Sequence, residues 1–553
     1  ADHHKASASA RGWDVANLGG TAHTDYDYMR VHTVYDLQNI NAKLDGRYIL
    51  AGDIDAGVTN TWNRTSNGIK GFLPIGEDYS KTFKGRFDGV GHTITRLHIR
   101  REYVGTLGLF GYVTTARIEN LSLVDGDVEG NYSVGGIVGY AEDTVIRNVS
   151  YAGRVVGKHE VGGIVGYAWG GSIQNAWNAG AVGGKDTNAG GIVGRATEAA
   201  VIQNVCNTGA ITGNEYVGGI VGGIANSTLQ HVWNTGTVTG SMNVGGIVGV
   251  AYGGTVRHAV WKTGSAGQAV GESNNGADVT TDVKVAPEAQ MKLAATYTDW
   301  KDANGNAIVA TEGGKGTPWR IYEGHTMPLL TALMKGTKRL EKVYDGNVFA
   351  TTDPHITLVH PGKDVGTYDA YSDQFGYDLI GGATIKSRVL TMSGVAAQSK
   401  TYDGTTAADI SKFHATLNNV VSGEESLVTA TATGATYNSK DVATANTVNY
   451  TGVALGGTGA GNYRIAAATA QGAGTITRRA LTLGTVAAQT KTYDGNTLAD
   501  ASKFHAALNN VVAGEENSVK ATATGAAYND KNVAAANTVN YTGVQLTGTG
   551  AGN

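Results

Sequence analysis

The chain has 553 residues, with 81 Gly, 6 Pro, one Cys and a net charge of −4 from 43 basic and 47 acidic residues. That length allows several domains and a sizeable core. The near-balance of charge points away from nucleic acid or an anionic membrane surface as partner. No apolar run approaches the roughly 18 residues of a membrane-spanning helix, and a single Cys206 excludes an internal disulfide. Abundant Gly with little Pro predicts short strands joined by tight turns.

In chain order, residues 1–30 read as an N-terminal extension or cap. The start, Ala1-Asp2-His3-His4-Lys5, carries no signal-peptide pattern. Short strand-like runs follow at Val34-Tyr35-Asp36-Leu37-Gln38-Asn39-Ile40, Arg47-Tyr48-Ile49-Leu50 and Asp53-Ile54-Asp55. They are expected to form the first, less regular coils of a larger stack.

That stack is announced by the string GGIVG, which begins at Gly135, Gly162, Gly190, Gly218 and Gly245, in steps of 27, 28, 28 and 27 residues. A looser copy at 104–111 opens the series. So constant a period means one supersecondary unit piled on copies of itself. Each unit alternates apolar with polar or Gly positions at strand period and has no room for a helix of about 10 residues. The prediction is an all-β fold, with a parallel β-helix of about 27–28 residues per coil over 31–264.

Aligning the units stacks Ile118, Ile146, Ile173, Ile202, Leu229 and Val256 as a continuous interior column. A second column holds Asn120, Asn148, Asn175, Asn204, His231 and His258. A third holds Asn178, Asn207 and Asn234, followed by Gly180, Gly209 and Gly236. Asn suits bends and amide-to-amide bonding along a parallel stack, and Gly is expected there to supply positive φ. These Asn columns read as structural turns and ladders rather than as a ligand ladder. Cys206 shares a column with Ser150, Trp177 and Trp233 and reads as a space-filler.

The string Leu50…Asp53-Ile54-Asp55…Pro74-Ile75-Gly76…Phe87-Asp88-Gly89…Gly91-His92-Thr93-Ile94, followed by the GGIVG units, resembles the GLUG-repeat proteins. These are grouped with filamentous-haemagglutinin-like secreted adhesins of bacteria. The resemblance implies a right-handed helix located outside the cell, at the bacterial surface.

Residues 265–336 break the period. Residues 267–281 read as a loop or insertion, and 286–300 as a short helix. Trp319-Arg320-Ile321 and Pro328-Leu329-Leu330 match the W-x-I…P-x-L segment that follows the last coil in the resembled family, where it is expected to cover the open end of the stack. A second repeat then begins. Tyr344-Asp345-Gly346, Tyr402-Asp403-Gly404 and Tyr493-Asp494-Gly495 each follow a Lys, and the last two are 91 residues apart. This resembles the YDG/MBG-type modules of large bacterial surface proteins. A short module is expected at 338–389, a full one at 390–480 with a short helix at about 407–417, and a truncated one at 481–553. Residues 540–553 repeat 449–462, after which the earlier copy continues with Tyr463-Arg464-Ile465; the sequence reads as a segment of a longer parent.

Some parallel β-helices are polysaccharide lyases and hydrolases, which gather carboxylates on one face. Here the main acidic candidates, Asp53, Asp55 and Asp88, sit at turns, and no carboxylate pair recurs. No metal, nucleotide or nucleophile motif stands in a fitting context. The reading is therefore no enzyme, no cofactor and no metal. Trp177, Trp233 and Trp261, at or near one column, and Tyr140 and Tyr167, after GGIVG, are candidate glycan-binding residues, because exposed aromatic rows stack on sugars. The functional expectation is a segment of a secreted or surface adhesin. It would bind host or self glycan, or a host surface protein, through an extended face, with the tandem modules as a stalk. The alternative is a subunit of an extracellular fibre or biofilm matrix that self-associates.

Overall fold

The computed structural model describes residues 15–16, 28–102, 105–274, 276–278 and 282–553. The expected cap at 1–30 lies almost entirely outside them. About 49% of the chain is strand. It divides into two compact units. The first comprises 1–340 with 351–360 and 369–383, and the second comprises 341–350, 361–368 and 384–553.

The first unit is a parallel β-solenoid. Ile118 pairs with Ile146, Ile146 with Ile173, Ile173 with Ile202, Ile202 with Leu229 and Leu229 with Val256, each in parallel register. The aliphatic column is one line of a buried core. The Ile of each GGIVG, from Ile137 through Ile164, Ile192 and Ile220 to Ile247, is fully buried. One long face is a seven-stranded parallel sheet: Phe110–Thr114, Val138–Glu142, Val165–Trp169, Val193–Thr197, Val221–Ala225, Val248–Tyr252 and Val270–Asn274.

The corners are made differently from the expectation. The GGIVG glycines and the Gly180–Gly209–Gly236 column do not take positive φ. They are glycine because nothing larger fits: a Cβ on Gly162 would lie 1.9 Å from the Val165 carbonyl oxygen, and one on Gly209 1.9 Å from that of Gly180. Positive φ falls instead to Asn120, Asn148, Asn175, Asn204, His231 and His258, all between 50° and 55°. Asn tolerates this left-handed region better than most side chains.

Two further expectations are corrected. Val34–Asn39 is an α-helix, not a strand. Thr33 caps it: its hydroxyl accepts from the Asp36 N–H, and Asp36 accepts from the Thr33 N–H, a reciprocal capping box. Val34, Leu37 and Ile40 then share one face and join the solenoid core. The period break at 265 does not end the stack, since Val270–Asn274 and Val283–Ala286 pair in parallel with the preceding coil.

Residues 287–335 form a strap, with short helical turns at Glu288–Met291 and Ala294–Tyr297 rather than one helix over 286–300. The strap folds back along the side of the coils, where a cover over their open end was expected. Met291, Tyr297, Trp300, Ile308, Trp319, Ile321 and Leu330 bury Cys206, Trp233 and Val260. Trp233 Nε1 donates to the Pro328 carbonyl at 3.0 Å. Buried Arg320 in the strap donates to Asp378 Oδ1 at 3.1 Å.

The second unit carries the YDG-type repeats. In one copy, Gln398–Thr401, Thr469–Thr477, Thr447–Thr451 and Gly434–Tyr437 make a four-stranded sheet over a core of Tyr402, Tyr437, Val448, Tyr450 and Ile476. The expected helix near 407–417 is a single turn, Ile410–Lys412, capped by Asp409 and followed by a strand, Thr416–Asn418. The next copy repeats the packing: Phe504 meets Tyr541 at 4.8 Å as Phe413 meets Tyr450 at 4.8 Å.

Candidate binding face

Outward positions on the seven-stranded sheet alternate with the buried ones. Tyr112, Tyr140, Tyr167, Arg195, Gly223, Val250 and Glu272 therefore fall in one register column. Their neighbours two residues on include Glu142, Trp169 and Tyr252. The rings form a continuous row. Centroid separations are 6.5 Å for Tyr79–Tyr112, 5.6 Å for Tyr112–Tyr140, 5.2 Å for Tyr140–Tyr167 and 6.1 Å for Tyr167–Trp169. The Arg195 guanidinium extends it, 5.6 Å from the Tyr167 ring centre. Tyr79 and Trp169 are exposed, while Tyr112, Tyr140 and Tyr167 are half-buried. Partial burial, with Glu142 close by, pushes the Tyr140 hydroxyl up to about 12. It therefore stays a hydrogen-bond donor across the physiological range.

Of the candidates named from sequence, Tyr140 and Tyr167 belong to this row and the tryptophans do not. Trp233 and Trp261 are buried, and Trp177 is half-covered against Phe375 at 5.0 Å. Trp177, Cys206, Trp233 and Val260 form one column, whereas Trp261 continues the Asn178–Asn207–Asn234 column. The strap packs on the first of these columns. Tyr112, Trp169 and Tyr79 were missed. Tyr112 follows Phe110-Gly111 as Tyr140 follows Val138-Gly139, so extending the GGIVGY alignment to the looser first copy would have found it.

The Asn columns bond along the corners of the stack. Asn148 Nδ2 donates to Asn120 Oδ1 and Asn175 Nδ2 to Asn148 Oδ1, both at 2.8 Å. Asn178 donates to Asn207 and Asn207 to Asn234, again at 2.8 Å, and each also bridges the Gly two residues on. Asn204 continues the first corner by position and conformation, where His231 and His258 stack at 5.0 Å. The acidic candidates each serve a turn. Asp53 accepts from the Thr93 N–H, Asp55 pairs with Arg96 and accepts from the Gly57 N–H, and Asp88 accepts from the Val90 N–H and Asn120 Nδ2. Among the described residues no three His, Cys, Asp or Glu side chains converge as a metal site, and no helix is long and apolar enough to cross a membrane.

Elsewhere the surface carries ion-pair clusters. Buried Glu119 accepts from Arg86, Arg117 and Arg147. Burial alone would raise its pKa, but the three guanidinium hydrogen bonds outweigh that and bring it down from 4.5 to about 2. Asp127 is likewise held at about 2, by His98 against the opposing effect of burial, and then by Arg154.

Two family models match the chain. The YDG domain matches at 386–470 and 477–553, and the GLUG motif at 130–156. Halomucin of Haloquadratum walsbyi is 36% identical over 141 residues, which is 25% of this chain and 2% of that protein's length. A solved structure from Bacteroides ovatus, described as a candidate immunoglobulin A1 protease, aligns with a TM-score of 0.38 and 19% identity, over 51% of this chain and 92% of that one. The chain is thus a repeat protein in which a GLUG-motif β-solenoid precedes tandem YDG domains.

Proposed function

We propose that this chain is part of a secreted, surface-associated adhesin whose solenoid binds glycan along the row Tyr79–Tyr112–Tyr140–Tyr167–Trp169. The GLUG motif, the YDG domains and the partial match to Halomucin support a surface-associated repeat protein. The ring row supports the ligand class. Amphipathic rings with apolar faces and polar tips suit a ligand that presents both C–H faces and hydroxyls, and Arg195 and the Tyr140 hydroxyl add donors beside them. Each contact is weak, so attachment depends on many copies at the cell surface. The YDG domains act as a stalk.

The test is a glycan array with the full chain and with the double variant Tyr140→Ala/Tyr167→Ala. Binding to at least one glycan class, reduced roughly tenfold or more in the variant at unchanged melting temperature, is expected; the loss corresponds to a few weak ring contacts. No binding to any glycan, or equal binding by both proteins, overturns the reading. Released reducing ends or unsaturated sugars would instead mark a polysaccharide-active enzyme.

A further inference from the structure

A polar column runs down the larger sheet of the solenoid, on different strands from the ring row. Glu119, Arg147, Gln174, Gln203, Gln230 and Arg257 pair rung to rung in parallel register. At one end Arg147 donates to Glu119 Oε2 at 2.6 Å, and the same carboxylate takes Arg86 and Arg117. Beyond that rung the bonding thins. The Gln174 side chain makes no hydrogen bond among the described residues. Gln203 accepts from Gln230 Nε2 at 2.8 Å, and Gln230 accepts from Arg257 Nε and Nη2 at 2.8 and 2.6 Å. Arg257 thus has a neutral amide as its partner and, among the described residues, no carboxylate.

The strap forms a second wall opposite this column. A groove of about 370 Å³ lies between Arg147 and Gln174 on the coils and residues 316–318 with Thr331 on the strap. A larger one of about 620 Å³ continues past Gln203, Gln230 and Arg257, with Asp299, Lys301 and Pro318 opposite. Pro318 borders both and joins them into one channel. From the Arg147 rung to the Arg257 rung is four steps, about 19 Å. Lys301 is exposed and, like Arg257, has no ion-pair partner among the described residues. The two walls therefore present a row of half-buried amides that ends in two uncompensated cations.

We infer that this channel binds a linear acidic glycan lying along the solenoid axis, with its hydroxyls on the Gln174–Gln203–Gln230 amides and a carboxylate on Arg257 and Lys301. Amide side chains offer both donors and acceptors, as the hydroxyls of a sugar chain require. A guanidinium and an ammonium with no carboxylate of their own form strong, charge-assisted bonds to one that a ligand brings. Amides between sparse cations suit a polymer of hydroxyls with spaced carboxylates. Nucleic acid, with a charge on every phosphate, would leave the amides unused. An extended peptide fits less well, because the strands of this wall have spent their backbone groups on rung-to-rung pairing and leave no edge for strand addition. The inference does not rest on the ring row, which lies on the seven-stranded sheet.

The test titrates the full chain with hyaluronate, polymannuronate and polygalacturonate at low and high salt, with the carboxyl-reduced form of each polymer as control. At least one acidic polymer is expected to bind, less tightly at high salt, and its reduced form to bind roughly tenfold or more weakly. Arg257→Gln/Lys301→Gln changes two exposed positions. With the fold intact by circular dichroism, it is expected to weaken the acidic polymer by roughly tenfold or more. Gln174→Ala/Gln203→Ala should weaken it several-fold, and Tyr140→Ala/Tyr167→Ala should leave it unchanged. Failure of all three polymers to bind overturns the inference, as does undiminished binding by either channel variant. Loss of binding in the tyrosine variant also overturns it, because the polymer would then lie on the ring row and the proposed function would stand without the channel.

Discussion

A carboxylate at position 164 has no route to water. Ile164 is fully buried between Ile137 and Ile192 in the column of GGIVG isoleucines. Ile164→Asp is expected to cost about 3–5 kcal/mol, the penalty of an unpaired buried charge. Hydrogen exchange should rise first in the flanking rungs at 135–141 and 190–196; unchanged exchange and melting would contradict the inward assignment. Glu119 makes the opposite case, a buried carboxylate that is needed. Its pKa is lowered from 4.5 to about 2 in the folded protein, so its stabilisation is full above about pH 4.5 and is lost as pH falls through 2. Glu119→Gln leaves three guanidinium groups without their anion and is expected to lower stability at pH 7 by about 1–3 kcal/mol. The gap from the native protein should close toward pH 2, as read by urea unfolding at each pH. The Ile column was legible because strand periodicity exposes it directly. Glu119 was not, because its three arginines come from three rungs and only the register brings them together.

At the scale of elements, the parallel stack and its Asn corners could be read from spacing, since each rung repeats the same demand at the same place. The Val34–Asn39 helix does not show in the spacing of its apolar residues; its signal is Thr33 with Asp36, which together spell a capping box. The strap was misplaced for a different reason. Its tryptophans show that it buries something, but only the structure shows that the surface buried is the Trp177–Cys206–Trp233 column. The strap takes Trp177 and Trp233 from the candidate site, burial in the solenoid core takes Trp261, and the tyrosines are left. The single thiol gives the strap a reporter: Cys206 lies beneath it, and burial pushes its pKa well above the ordinary range. Trp319→Ala is expected to raise the rate of Cys206 alkylation by roughly tenfold or more, because losing a buried Trp weakens the strap by about 3–5 kcal/mol. An unchanged rate would mean that the thiol is reached only through global unfolding.

For the molecule as a whole, the two repeats obey different logic. In the solenoid each rung leans on its neighbours, so stability accrues along one dimension. In the YDG unit the full copy has a core of its own around Tyr402, Val448 and Tyr450 and meets its neighbours through a few fixed hydrogen bonds. A stack of like rungs carries no intrinsic count, and one more or one fewer would pair equally well. The strap changes that. It leaves the last coil after Ala286 and reaches back until 332–335 lie beside Asn120 and Asn148. Deleting a single coil would slide its anchor points by about 4.8 Å, enough to take Trp233 away from the Pro328 carbonyl. The strap thus works as a ruler: coil number and strap length have to be revised together, and a relative with a longer solenoid needs a longer strap or none.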